Sequence, residues 1–141
     1  MAAFNKFNCF AGDLAKGIHQ LQAAGHTLKV LLTNTAPVAT NSVKADLTEI
    51  TAQNGYPAGG SDIQNDLSIT TNVATLTGTD VVFTASGGSF GPWRYAVLYN
   101  DTPTSPADPL IGWWDYGSSV TTQIGETVTI DFGASIYTVT C

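Results

Sequence analysis

The sequence predicts a mainly β protein, a β-sandwich or jelly-roll with one N-terminal amphipathic helix. Three observations carry that reading. Short apolar segments recur between Gly, Asn, Asp and Pro at the spacing of roughly eight or nine strands joined by turns. Charged residues make up 11% of the 141-residue chain, against roughly 25% in ordinary soluble domains, while Gly occurs 14 times and Thr is abundant. Helical periodicity occurs in one stretch only, near the N-terminus. The length suits one domain with a single core.

Taken in order, Phe7, Phe10, Leu14, Ile18 and Leu21 fall at helical spacing on one stripe and predict a helix over residues 5–24. Asn5 or Asn8 is placed to cap it and Gly25 to end it. Gly12 and Gly17 inside such a helix cost up to about 1 kcal/mol each against Ala, which predicts close packing on a sheet. The β-sandwich then occupies residues 28–141. Residues 28–33 (LKVLLT) read as a strand and 34–41 as an extended connection. Residues 45–50 read as a short helical turn, with Asp46 as cap and Glu49 three residues on. A glycine-rich loop covers 54–61, and strands follow at 67–71, 73–76 and 79–84, with Asn72 and Gly78 as turn residues.

Residues 90–116 hold all three Trp and three of the five Tyr. They predict two strands joined by a polar, proline-rich loop at 100–109. Alternation places Trp93, Tyr95, Val97 and Tyr99 on one face and Arg94, Ala96 and Leu98 on the other. In the second strand Ile111, Trp113 and Asp115 oppose Leu110, Gly112, Trp114 and Tyr116. Both faces carry apolar groups, so the hairpin is expected at the centre with material packed on either side. Strands at 118–122, 127–132 and 136–140 complete the chain, with Val128, Ile130 and Phe132 pointing inward.

Charge narrows the function. The net charge is −6, and Lys6, Lys16, Lys29 and Lys44 supply four of the five cations. Only Arg94 is positive after them. Nucleic-acid binding is disfavoured, because phosphate contacts need clustered Lys or Arg. No apolar run reaches the ~18 residues of a membrane span, and no secretory signal is visible at the N-terminus. Cys9 and Cys141 do not make a disulfide framework; two free thiols are expected, with a bridge between them as the alternative.

No catalytic set emerges, so neither an enzyme nor a cofactor is expected. His19 and His26 are too few for zinc, and read as histidines at a helix end. Cys9 has no histidine and acid set beside it in sequence. Gly87-Gly88-Ser89-Phe90-Gly91 lacks the Lys-Ser/Thr of a phosphate loop and reads as a turn. Asp62 and Asp66 lack EF-hand spacing. Asp115, Glu126 and Asp131 are placed to meet at one sheet end, as glycosidase acids would; surface carboxylates on strands and turns are the plainer reading. Arg94 sits in an apolar strand. Either Asp115 or Asp101 pairs with it, or its stem packs while its head reaches water. Adjacent Trp113 and Trp114 must face opposite sides, so at least one is a candidate for contact with another chain, as is Trp93.

The segments GPWRYAVLYND and DPLIGWWDYGSS, with LKVLLTNTAPVATNSVKADLTEITAQNGYPAGG before them, resemble a group of small tailed-phage virion proteins. The resemblance spans residues 4 to about 137. It implies a non-enzymatic component of the particle, made in the host bacterial cytoplasm. A β-sandwich of this size fits a capsid decoration or cement protein. Such a protein binds the major capsid protein on the outer shell, as a dimer or trimer. The resemblance brings no functional residues with it. Charge position adds that Lys6, Lys16, Lys29 and Lys44 could meet acidic groups on neighbouring chains. The other readings are a place in the tail, head–tail junction or a fibre, and a carbohydrate-binding module for host attachment that stacks sugars on Trp113 or Trp114.

Overall fold

The computed structural model describes residues 3–140. Ten strands, a one-turn 3-10 helix (Lys44–Asp46) and one short α-helix follow in order: β1 (Asn5–Lys6), α1 (Cys9–Ala15), β2 (Leu28–Thr33), β3 (Ser61–Asp62), β4 (Asp66–Thr70), β5 (Val73–Thr77), β6 (Val81–Thr84), β7 (Phe90–Asn100), β8 (Leu110–Thr122), β9 (Thr127–Ile130) and β10 (Tyr137–Thr140). They form a five-stranded antiparallel sheet, β1-β8-β7-β2-β3, a three-stranded sheet, β10-β5-β4, and a two-stranded ribbon, β6-β9. The protein is mainly β with one short helix.

The aromatic hairpin β7–β8 is the spine, with β2 along its other side. Packing on both faces explains why β2 is apolar almost without interruption. On one face Val30, Leu32, Ala96, Leu98 and Trp114 join Leu76, Phe83 and Val128 from the two smaller sheets, and Phe132 and Ile136 from the connection between β9 and β10, in the main core. On the other, Leu31, Val97, Tyr99 and Leu110 pack with Phe7 in a second cluster, with Leu47 and Trp113 at its margin. Each large apolar side chain so buried contributes roughly 1.5–3 kcal/mol.

The helix expected over residues 5–24 is confined to Cys9–Ala15. Residues 5 and 6 instead pair with Trp113 and Gly112 as an edge strand. Gly17, at φ +77°, ends the helix. Its N–H donates to the Leu14 carbonyl at 3.2 Å, and the Ile18 N–H to the Asp13 carbonyl at 2.9 Å. That is the paired bonding of a helix end closed by a left-handed residue. Gly17 is therefore the stop that the reading assigned to Gly25.

Simple alternation also fails in the hairpin, because the register shifts three times. Leu98 pairs with Gly112 but Tyr99 with Leu110, so Ile111 is the extra residue of a bulge and turns into the main core. Trp93 pairs with Val120 and Tyr95 with Asp115, so residues 116–119 bulge from β8, with Gly117 at φ +101°. Trp93 thereby joins Ala96 and Leu98 in the main core, on the side opposite to Val97 and Tyr99.

The turn expected at 45–50 is also rebuilt. Asp46 does not begin it; its carboxylate reaches back to the N–H groups of Ser42 and Val43 at 2.9 and 3.3 Å. Glu49 is left free to serve elsewhere.

Candidate functional site

A groove of about 780 Å³ opens between the β7–β8 end of the large sheet and β9. Its floor is Trp93, Ala96, Trp114 and Val120, and its far wall is the run Glu126 to Asp131. Bulging puts Trp93 there, and its indole N–H donates to the Thr122 hydroxyl at 3.1 Å. Tyr116, carried out on the bulge, is 63% exposed and lies against Trp93 with ring centroids 5.2 Å apart. Arg94 stands at the rim and grips Asp115 with two bonds, Nε–Oδ1 at 2.8 Å and Nη2–Oδ2 at 3.1 Å. The guanidinium, with the Gly117 N–H behind it, holds the Asp115 carboxyl below its usual range. Of the two partners open to Arg94 in the sequence, Asp115 takes the role, and Asp101 pairs with Lys29 at 3.2 Å. Both ends of the Arg94–Asp115 pair are about two-fifths exposed, so its stem packs and its head still meets water.

The residues singled out in sequence divide. Trp93, Arg94 and Trp114 line this groove. Trp114 is only 7% exposed, wedged against Phe4 and Phe132. Trp113 lies on the opposite face, 4.6 Å from the Phe7 ring. The lysines do not form one patch. Lys6 lies over the Tyr137 ring, on the main-core face. Lys29 and Lys44 are on the other face, the latter 3.5 Å from Glu49 and over Tyr99. Lys16 follows the end of α1. Glu126 and Asp131 reach the groove, while Asp115 is held beside it by Arg94.

Three constellations had no signature in the sequence. Asn100, buried, brings His19 and His26 together: its amide nitrogen lies 3.0 Å from His19 Nδ1 and 2.9 Å from His26 Nδ1. Asn65, also buried, accepts from the Leu28 N–H and donates to the carbonyls of Leu21 and His26. Glu49 accepts from the Tyr56 hydroxyl at 2.6 Å and the Gly59 N–H at 2.7 Å, tying the 49–59 loop to the large sheet. Each spans distant parts of the chain, and each serves to hold coil on sheet.

Among the described residues no three His, Cys, Asp or Glu side chains group to hold a metal. Asp62 and Asp66 spend oxygens on the N–H groups of Gln64 and Leu67. Cys9 is a free thiol. Its Sγ faces the carbonyls of Asn41, Ser42 and Leu110, and burial first, then Asp13, pushes its pKa up. That is the opposite of what a nucleophile needs. Cys141 lies outside the described residues. None of the described helices is long and apolar enough to cross a membrane.

One further surface stands out. In β4-β5-β10 the row Leu67, Leu76, Tyr137 packs on the main core. The next row on the same face, Ile69, Ala74, Val139, runs past the end of the core, and Ile69 is 71% exposed. The reverse face carries Ser68, Thr70, Thr75, Thr77, Thr138 and Thr140, with Asp66 and Val73 among them. No protein-family model, curated protein or solved structure matches this chain.

Proposed function

We propose that this chain is a structural component of a tailed-phage virion, a decoration subunit that binds and braces the major capsid protein on the outer capsid surface as a dimer or trimer. The sequence resemblance supplies the context. The observation that carries the attachment is the row Ile69, Ala74, Val139, which continues a core-facing surface past the core: Ala74 and Val139 are half-buried and Ile69, at its outer end, is 71% exposed. Apolar surface of that kind favours a partner. The threonine-rich reverse face carries one charged strand residue, Asp66, so covering it desolvates few ions. Under capsid symmetry, modest contacts repeated at equivalent sites sum to a large effect. The reading assigns no catalytic step.

Quantifying copies per purified particle tests it. Hundreds of copies, with density on the shell that vanishes from particles lacking this protein, are expected of a symmetric decoration layer. A dozen or fewer would move it to the tail, head–tail junction or fibre. Absence from mature particles would overturn the virion reading.

A further inference from the structure

The wall of the groove opposite Trp93 has an unusual composition. Six consecutive residues, Glu126 to Asp131, line it. A strand that offered a side-chain face would contribute every second residue. A continuous run means that the strand presents its edge. β9 pairs with β6 alone among the described residues. The Ala85 N–H donates to the Glu126 carbonyl, which fixes the phase of that ladder. Alternation then makes Phe83–Val128 and Val81–Ile130 the hydrogen-bonded pairs. The N–H and C=O groups of Thr127 and Thr129 are thus turned away from β6, toward the groove.

We propose that this groove is a docking site for an extended segment of another protein, which adds to β6-β9 as a third strand. A segment laid along β9 would turn alternate side chains onto Trp93, Ala96 and Trp114, and the others outward beside Thr127 and Thr129. Apolar residues suit the first set and polar ones the second. Glu126 and Asp131 stand at the two ends of the wall, while the one cation of the rim, Arg94, is already neutralised by Asp115. The occupant therefore carries Lys or Arg at its ends. At about 3.3 Å per residue, the four-residue edge of β9 spans roughly 13 Å and engages a short segment. Main-chain bonds supply the affinity and the alternate side chains the selectivity.

The test uses the whole protein and the blocked heptapeptide Lys-Val-Thr-Val-Thr-Val-Lys. Tryptophan fluorescence follows binding, and amide hydrogen exchange locates it. The expected result is saturable binding that slows exchange at Thr127 and Thr129. T129P removes an outward N–H, which an edge strand tolerates, so it weakens binding about tenfold or more without lowering Tm. The same peptide N-methylated at the amides facing β9 fails to bind, a result that needs no variant to fold. Equal binding of the N-methylated peptide or by a folded T129P overturns the proposal. So does the absence of binding up to about 1 mM, or cellohexaose binding in the groove where the peptide does not. Self-association of the protein that T129P abolishes would give the groove to a second copy and also overturn it. The partner is defined by its chemistry, so failure here leaves the virion reading standing, and absence from particles leaves this result standing.

Discussion

Asn100 holds His19 by one contact: its amide nitrogen lies 3.0 Å from the imidazole Nδ1, with both side chains buried. An amide NH2 can only donate, so His19 Nδ1 accepts and the ring is neutral, with its proton on the unpartnered Nε2. Burial lowers the His19 pKa to about 4, opposed by Asp13 and assisted by His26. The unfolded chain binds a proton near pH 6.5 and the folded one does not until about 4. Stability is therefore complete above pH 6.5 and falls as the pH drops toward 4, by on the order of 3 kcal/mol. Urea unfolding at a series of pH values between these limits checks the slope. His19→Phe keeps an aromatic ring against Phe10 and flattens it. A wild-type profile with no slope in this window would show that His19 takes up its proton as readily in the fold as in the unfolded chain.

Tyr56 closes a relay. Its hydroxyl donates to Glu49 and accepts from the Leu32 N–H at 3.0 Å, inside the sheet. Burial, then the Glu49 bond, pushes its pKa up, so it stays a donor at any ordinary pH. Tyr56→Phe leaves a buried N–H unpaired and one carboxylate oxygen short of a donor, for a loss of roughly 2–3 kcal/mol. Tyr99→Phe removes only the bond to the Gly59 carbonyl, for about 1 kcal/mol. Chemical denaturation of the two variants side by side gives the ranking, and equal losses would refute it.

Much of this fold is legible in the sequence where local pattern decides. The run of β2, the aromatic hairpin and the alternation of β9 are each written in consecutive residues. Periodicity extends the helix too far because its apolar stripe continues past the point where Gly17 turns left-handed, a turn that spacing cannot register. The bulges at Ile111 and at 116–119 are equally silent, so Trp93 and Ile111 were assigned to the wrong faces. For the groove, Trp93, Trp114, Arg94 and both carboxylates were visible as residues, but not as neighbours. Asn100 meets His19 across 81 positions, and no local rule connects them.

Gly60 is fixed by a close approach. It sits at φ +79°, and an added Cβ would overlap the carbonyl oxygen of Val30 in β2. Neither the strand backbone nor the glycine can yield cheaply. Gly60→Ala is expected to cost more than about 2 kcal/mol and to loosen the 49–60 loop, seen as faster amide exchange there. Gly125→Ala, also at positive φ but with open space around it, pays only the conformational penalty of about 1 kcal/mol.

The lysines separate attachment from folding. Lys29 and Lys44 have internal partners in Asp101 and Glu49, so neutralising them alters the subunit itself. The Lys16 side chain makes no ion pair among the described residues, and only its backbone N–H is bonded, to the Gly12 carbonyl at the helix end. Lys16→Gln is expected to leave Tm unchanged and to weaken binding to purified capsids, more at low salt than at high. Unchanged occupancy at low salt would remove the electrostatic part of the attachment.

Ile69 provides the sharpest probe of the overhanging sheet. It lies beyond the core, so the folded subunit loses almost nothing when it becomes polar, and its strand pairing with Ala74 uses only main chain. A partner that covers it loses the burial of an isoleucine and must also desolvate the new group. Ile69→Asp is expected to keep the Tm within a degree or two, since exposed substitutions cost about 0.5 kcal/mol or less. Its occupancy on particles is expected to fall at least about tenfold, the effect of roughly 1.5–3 kcal/mol per site. Leu76→Asp, one row inward and buried, should instead fail to fold. Wild-type occupancy of folded Ile69→Asp would show that this row faces solvent in the particle, and would shift the contact to the threonine face.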